Sequence, residues 1–207
     1  MRRLRDVGEF GLIELISRWV PDGGPRVVLG PGDDAAVLRP PDGHDLVVST
    51  DSLVEDVHYR FQTQSARLVG RRALIANLSD LAAMGARPLG CTLALAAPPE
   101  LSVQTALSIV EGLVSEAEKW RSPLVGGNVT RSPHPLFIEV TVMGSAKRRR
   151  VLSRHGARPG DDLYVSGELG GAAAGLAWLQ KQLLRSKVMI KFFFACMRYG
   201  SSNLKQL

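Results

Sequence analysis

A nearly all-apolar run at residues 89–97, lying between two longer segments with helical spacing, constrains the fold of this chain more than any other feature. The run has the length and composition of a strand. The segment before it, residues 66–84, repeats apolar side chains at helical spacing after Ser65, a suitable N-cap. A second helix is predicted over residues 102–120, with Ser102 as its cap. A strand between two helices, joined by short connections, is typical of mixed α and β folds.

Shorter predicted elements surround this unit. They are a helix at residues 9–19 and strands at residues 26–29, 35–38, 45–49 and 136–145. The strand at residues 45–49 reads as buried, and it delivers Thr50 and Asp51 at its end. We therefore predict an α/β (α+β) domain in which helices flank a mixed sheet.

The chain changes character after Arg150. A turn-rich stretch is followed by a predicted strand at residues 163–165 and by a helix that opens at Gly170-Gly171. These glycines lack the Lys-Ser/Thr of a phosphate-binding loop, so close packing of helix on strand explains them better. We expect an N-terminal domain at residues 1–150, the beginning of a second α/β domain at 151–180, and an atypical, disordered tail at 181–207.

Composition argues against several classes of function. With 45% hydrophobic and 22% charged residues, the chain is typical of globular proteins. The net charge of +6 comes largely from three early arginines, residues 147–150 and the last stretch of chain. Basic and aromatic residues do not alternate as they do on a nucleic-acid stacking surface. Two cysteines form neither a disulfide framework nor a metal knuckle. Without a membrane-length apolar stretch or a signal core, we expect a cytoplasmic protein with no nucleic-acid or membrane partner.

Acidic residues recur within residues 33–80 beside segments that are otherwise apolar. They are Asp33 and Asp34, Asp51 after Ser49 and Thr50, Glu55 and Asp56 beside His58, and Asp80 on the first long helix. Buried unpaired charge is costly, and the neighbours are mostly Gly, Ala, Ser and Thr. Mg²⁺ suits such oxygen-rich surroundings, and when one or two carboxylates bind it the ion usually bridges to phosphates. The clusters therefore predict a magnesium–nucleotide site, although Asp33 itself is better explained as a turn residue.

Some of these residues have a second interpretation. Asp80 is also placed to form a salt bridge with Arg71 or Arg72. Glu55-Asp56 is equally consistent with a solvated loop, and His58 with an ordinary surface histidine. The sequence leaves these alternatives open.

Five motifs, in order along the chain, resemble those of the thiamine-monophosphate kinases. They are residues 8–10, 32–36, 49–58 and 77–86, and the Leu-Ser-Arg that ends at Arg154. The resemblance runs from about residue 8 to residue 180. Each motif alone is weak, but the ordered set is specific.

The resemblance implies ATP-dependent phosphorylation of thiamine monophosphate to thiamine diphosphate. It also implies the fold of the aminoimidazole-ribonucleotide synthetase superfamily, in which N-terminal sheets pair into a barrel across a homodimer and nucleotide binds at the interface. The attacking group would be a phosphate oxygen that is already ionised at pH 7. The reaction therefore needs positioning and charge neutralisation more than a strong base. We name no catalytic residue from the sequence.

The resemblance also assigns roles to residues of this chain. Asp34, Ser49, Thr50, Asp51, Asp80 and Asn128 fall on Mg²⁺ ligands, His58 on a contact to thiamine phosphate, and Gly127, Asn128 and Arg154 on contacts to ATP. In these roles several Mg²⁺ ions and one arginine would clamp the transferred phosphate.

Two departures from the family pattern stand out. Asn128 occupies a position where the family usually has Asp, so one metal site loses a charge. The acidic motifs of the family's second domain are missing, which suggests a truncated protein. The alternatives to a kinase are therefore a non-catalytic nucleotide-binding or dimerisation module and another ATP-dependent enzyme of the same superfamily.

Overall fold

The computed structural model of the protein describes residues 2–21, 23–32, 35–162, 164–165 and 167–183, with the side chains of residues 182 and 183 excepted. The chain divides into two compact units, Met1–Gly156 and Ala157–Leu207. Asp34 and nearly all of the expected tail lie outside the described residues. The domain limits expected from the sequence, with a first boundary at residue 150, stay a prediction.

The first unit contains three helices and six strands among its described residues. In chain order they are α1 (Leu4–Ser17), β1 (Val27–Leu29), β2 (Val37–Leu38), β3 (His44–Val54), α2 (Ala66–Ala83), β4 (Arg87–Ala97), α3 (Val103–Lys119), β5 (Leu124–Arg131) and β6 (Phe137–Lys147). The second unit contributes α4 (Gly171–Leu183). The predicted strand at residues 163–165 is not found at Tyr164 or Val165, and Leu163 is not described.

The main sheet has four strands in the order β3-β6-β4-β5. Strand β6 is antiparallel to both β3 and β4, whereas β4 and β5 are parallel. A separate pair is formed by β1 and β2. The prediction of a mixed sheet flanked by helices is confirmed. Because β3, β4 and β5 run in the same direction, their carboxyl ends meet at one edge of the sheet, where the loops after β3 and β5 also lie.

Helices α2 and α3 cover one face of the sheet. Each begins at its predicted serine cap: Ser65 accepts a hydrogen bond from Leu68 N, and Ser102 accepts one from Thr105 N. The buried core between helices and sheet includes Leu74, Leu81, Ile109, Leu113, Leu95, Ile138 and Val140. Cys91 belongs to this core, and burial raises the pKa of its thiol to about 12, so it behaves as a small apolar residue.

Two glycines allow α2 and α3 to approach each other closely. A Cβ atom on Gly70 would lie 1.8 Å from the backbone oxygen of Ile109, and one on Gly112 would lie 2.0 Å from that of Arg67. Both distances are far below van der Waals contact. Any larger residue would therefore force the helices apart.

A buried acid on α3 strengthens the same interface. Glu116 is 3% exposed and accepts hydrogen bonds from Arg71 on α2 at 2.6 Å and from Lys119 at 2.8 Å. Burial by itself raises the pKa of the Glu116 carboxyl, but the hydrogen bonds from Lys119 and Arg71 outweigh it and hold the pKa below its usual value.

Strand β3 differs from its prediction in length and in exposure. It continues through Val54, so Thr50 and Asp51 lie within the strand and not at its end. It is also not buried, since Leu46 and Val48 are 54% and 56% exposed. These side chains are exposed because β3 is an edge strand and because the face that carries them is covered by no helix of the described first unit.

None of the helices in the described part of the chain combines the length and the apolarity needed to cross a membrane.

Candidate functional site

A short hydrogen bond joins two of the predicted metal ligands. Ser49 Oγ on β3 donates to Asp80 Oδ2 on α2 at a distance of 2.6 Å. The two residues are 31 positions apart in sequence, and they meet because α2 packs beside β3 after the turn that connects them. Asp80 remains exposed, so its carboxylate is accessible from solvent.

Asp51 lies on the same side of β3 as Ser49, because alternate residues of a strand point to the same face. Among the described residues, neither Asp51 nor Asp80 has an ion-pair partner. Arg71 pairs instead with Glu116, and Arg72 donates to a backbone carbonyl. The alternative role of Asp80 in a salt bridge with either arginine is therefore not what the geometry shows.

Thr50 points to the opposite, uncovered face of the sheet. Its Oγ1 donates to the carbonyl oxygen of Val140 at 3.2 Å and accepts from Thr141 Oγ1 at 3.0 Å. The hydroxyl of Thr50 is thus engaged within the sheet, and it does not join the Ser49–Asp80 pair.

His58 is presented by a tight turn directly after β3. Its Nδ1 accepts a hydrogen bond from Val54 N at 3.0 Å, so the neutral ring carries its proton on Nε2. Asp56 adopts a φ of 64°, and its backbone N–H donates to Tyr59 O at 2.8 Å. Tyr59 is 4% exposed and ties the turn to the core. The side chain of His58 is therefore exposed, while hydrogen bonds fix the backbone of the turn that carries it.

Gly127 and Asn128 lie within β5, the edge strand on the opposite side of the sheet from β3. A Cβ atom on Gly127 would lie 2.0 Å from the backbone oxygen of Leu93, so only glycine permits β5 to pair with β4 here. Thr50, Thr141, Thr92 and Gly126 form one row across the four strands. Three strand spacings separate the two edge strands, and Asn128 lies two residues beyond Gly126, so Asn128 and Thr50 of one chain are about 16 Å apart.

Arg154 is exposed and follows the end of α2 in space. The backbone N–H of Leu152 donates to Met84 O at 3.1 Å, and the Leu152 side chain packs over Gly85. Arg154 is therefore two residues along the chain from Leu152, which contacts the end of α2, the helix that carries Asp80. No contact of the Arg154 guanidinium is observed among the described residues.

The donors at this site are the kind that Mg²⁺ prefers. They are carboxylate and hydroxyl oxygens at an exposed sheet edge, and the charges of Asp51 and Asp80 have no cation to neutralise them among the described residues. No group of three His, Cys, Asp or Glu close enough to hold a metal is found in the described part of the chain. Asp34, the remaining predicted carboxylate ligand, lies outside that part.

One contact at the site has no signal in the sequence. Arg72 Nη1 donates to the backbone oxygen of His58 at 2.8 Å. A spacing of 14 residues between a helix and the preceding turn predicts no such pairing. Only the three-dimensional path of the turn reveals it.

Comparison with known proteins identifies the family that the chain resembles. A family model described as AIR synthase related protein, N-terminal domain, matches residues 32–146. The thiamine-monophosphate kinase of Synechococcus elongatus is 41% identical over 178 residues, which are 86% of this chain and 52% of that protein. The chain thus spans about half the length of the curated relatives it matches.

Solved structures agree with the sequence relatives. The thiamine-monophosphate kinase from Stenotrophomonas maltophilia K279a superposes with a TM-score of 0.76 at 38% identity, covering 94% of this chain and 60% of that one. A structure described as AaThiL complexed with AMPPCP and TMP gives a TM-score of 0.69 at 30% identity, covering 97% and 60%.

Proposed function

The chain belongs to the AIR synthase related protein family through the N-terminal domain that it contains, and from this premise we propose that it is a thiamine-monophosphate kinase. The reaction would transfer the γ-phosphoryl group of ATP to thiamine monophosphate and yield thiamine diphosphate. The observation that carries the proposal is the Ser49–Asp80 hydrogen bond beside Asp51, at an exposed edge where both carboxylates lack a cation among the described residues.

The residues of this edge suit phosphoryl transfer. Such reactions depend on positioning and charge neutralisation, and Mg²⁺, when bound, would supply charge neutralisation at the transferred phosphate. Ser49, Asp51 and Asp80 would hold it together with Asp34, and the bond from Ser49 fixes the Asp80 carboxylate. Arg154 would add a cation against the ATP phosphates.

His58 is suited to the acceptor substrate. Because Nδ1 is occupied by Val54 N, the Nε2–H of the exposed ring remains free to donate to the phosphate of thiamine monophosphate. That phosphate is ionised at pH 7 and needs no base to become a nucleophile. His58 would therefore orient the acceptor and would not need to act as a general base.

We further propose a homodimer in which the uncovered faces of two sheets pair into a barrel. Leu46 and Val48 leave apolar surface on the face opposite the helices. The separation of about 16 Å between Asn128 and Thr50 also supports a dimer, because two ligands of one ion lie within a few ångströms of each other. Asn128 could thus share an ion with β3 only if that strand came from a second copy.

Replacing Val48 by aspartate should convert the dimer to monomers. The new carboxylate would be buried without a partner, so the dimer dissociation constant should rise by about a hundredfold or more. Sedimentation velocity over a concentration series measures it. Ile75→Asp on α2 is the matched control, since Ile75 is 42% exposed on the helical side and should leave the dimer intact. A Val48→Asp protein that remains dimeric would exclude this face as the interface.

Substrate binding tests the proposed function. Equilibrium dialysis with thiamine monophosphate, a non-hydrolysable ATP analogue and Mg²⁺ should show that both small molecules bind, the nucleotide only when Mg²⁺ is present. Binding of the nucleotide without binding of thiamine monophosphate would instead favour a non-catalytic nucleotide-binding module, the alternative that Asn128 suggests. Binding of neither by folded protein would contradict the proposal. A cytoplasmic location would fit this biosynthetic role.

A further inference from the structure

The turn that carries His58 is held to β3 through the histidine itself. The backbone N–H of His58 donates to Val54 O at 2.8 Å, and His58 Nδ1 accepts from Val54 N at 3.0 Å. These bonds fix both the path of the backbone and one edge of the imidazole ring. They leave the Nε2 edge as the part of the ring that can meet a ligand.

A second element holds the same residue from the other side. Arg72, the seventh residue of α2, donates from Nη1 to the carbonyl oxygen of His58 at 2.8 Å. In the described part of the chain no carboxylate pairs with this guanidinium, although Glu116 pairs with the adjacent Arg71. A hydrogen bond from a cation to a carbonyl is stronger than one between neutral groups. The charge of Arg72 is thus directed at the backbone of His58.

Helix α2 links this contact to the acidic cluster. Arg72 and Asp80 are eight residues apart on one continuous helix, which corresponds to about 12 Å along its axis. A helix is rigid over that length. It therefore keeps a constant distance between the histidine turn at one point and the Ser49–Asp80 pair at the other.

We propose that Arg72 is a positioning residue for the acceptor phosphate. By holding the carbonyl of His58, it keeps the Nε2–H of the ring directed at the phosphate of thiamine monophosphate and at a set distance from the metal–nucleotide end of the site. Arg72 acts through His58 and does not itself touch the reacting atoms. The inference rests on the proposed function for the identity of the ligand, whereas the effect of Arg72 on His58 stands independently of it.

The test compares three variants of the full chain. Arg72→Met keeps the aliphatic stem and removes the donors, Arg72→Lys keeps a cation, and Arg71→Met, at the preceding position of the helix, is the matched control. Nitrogen-15 spectra of the His58 ring report its tautomer, and hydrogen exchange reports the Val54 amide. Calorimetry reports the dissociation constants for thiamine monophosphate and for the Mg²⁺ complex of a non-hydrolysable ATP analogue.

In Arg72→Met we expect a mixture of His58 tautomers, exchange of the Val54 amide at least about tenfold faster, and thiamine monophosphate binding weakened about tenfold. Nucleotide binding should not change. Arg72→Lys should recover most of the affinity. Arg71→Met should lower the thermal stability, because it leaves Glu116 with a single partner, yet keep the His58 signals and the affinity for thiamine monophosphate.

Two results would overturn the inference. An unchanged tautomer and unchanged Val54 exchange in Arg72→Met would show that Arg72 does not position the turn. A loosened turn with undiminished affinity for thiamine monophosphate would show that the positioning does not serve substrate. If the unaltered protein does not bind thiamine monophosphate, the proposed function and the substrate part of the inference fail together, while the His58 spectra still decide whether Arg72 fixes the ring.

Discussion

Replacing Asp80 by asparagine is expected to weaken binding of the magnesium–nucleotide complex by about a hundredfold or more. The substitution keeps an oxygen that can accept from Ser49, so the local hydrogen bond survives. What it removes is the negative charge. Loss of groups that merely support a metal ligand already costs about 10- to 100-fold in metal affinity, and loss of a ligand's charge should cost at least as much.

The same substitution should leave the stability of the metal-free protein unchanged or slightly raised. Asp80 is exposed, has no ion pair among the described residues and lies on α2 beside β3, the strand that carries Asp51. Removing one of two unneutralised carboxylates relieves repulsion. The measurements are calorimetric titration with Mg²⁺ and a non-hydrolysable ATP analogue, and thermal melting without Mg²⁺. Glu118→Gln, which also removes one exposed negative charge but on α3, is the control and should bind normally. Equal nucleotide affinity in Asp80→Asn and Glu118→Gln would remove Asp80 from the site.

Replacing Gly112 by alanine should destabilise the first unit by about 2–4 kcal/mol. The added Cβ would lie 2.0 Å from Arg67 O, which is backbone and cannot swing aside. Helices α2 and α3 would have to separate, and overpacking of this kind typically costs about 1–3 kcal/mol or more. Thermal melting should show a fall in Tm of about 5 to 10 °C.

Gly171→Ala serves as the comparison for Gly112→Ala. A Cβ at Gly171, the first residue of α4, meets no atom within 4 Å, so that substitution should be neutral or mildly stabilising. The destabilised Gly112→Ala protein should also bind nucleotide less well, because α2 carries Asp80. A Gly112→Ala protein that melts at the same temperature as the unaltered one would contradict the close approach of the two helices.

The sequence predicted α2 and α3 well because their signals are local, whereas the helix predicted at residues 9–19 is found at Leu4–Ser17, with a non-helical backbone at Gly8. Ser65 and Ser102 cap α2 and α3 as predicted, and helix α2 ends at Ala83, so that Gly85, at φ 67°, follows its C-terminus. Edge strands were predicted less well. Thr50 and Asp51 were predicted at the end of a strand, yet they lie inside β3, and no strand was predicted at Leu124–Arg131, where β5 lies. An edge strand tolerates polar residues because part of it faces water, and its position depends on the order of the whole sheet.

In the candidate site, too, residues could be predicted from the sequence but the contacts between them could not. Family resemblance pointed to Ser49, Asp80 and His58, but no pattern in the sequence says that Ser49 donates to Asp80 or that Arg72 holds His58. Both contacts depend on how α2 packs against β3. The separation of Asn128 from Thr50 likewise follows from the order of the strands, which no local pattern in the sequence reveals.

Formation of thiamine diphosphate from thiamine monophosphate, ATP and Mg²⁺ by the purified chain tests the central claim most directly. Asp51→Asn is the control, since it removes one carboxylate from the edge strand and leaves the fold intact. A thiamine-monophosphate kinase should form the product, and Asp51→Asn should abolish it. A folded dimer that binds Mg²⁺ and ATP yet forms no thiamine diphosphate, or product formation that is equal in Asp51→Asn, would contradict a kinase site at this edge of the sheet.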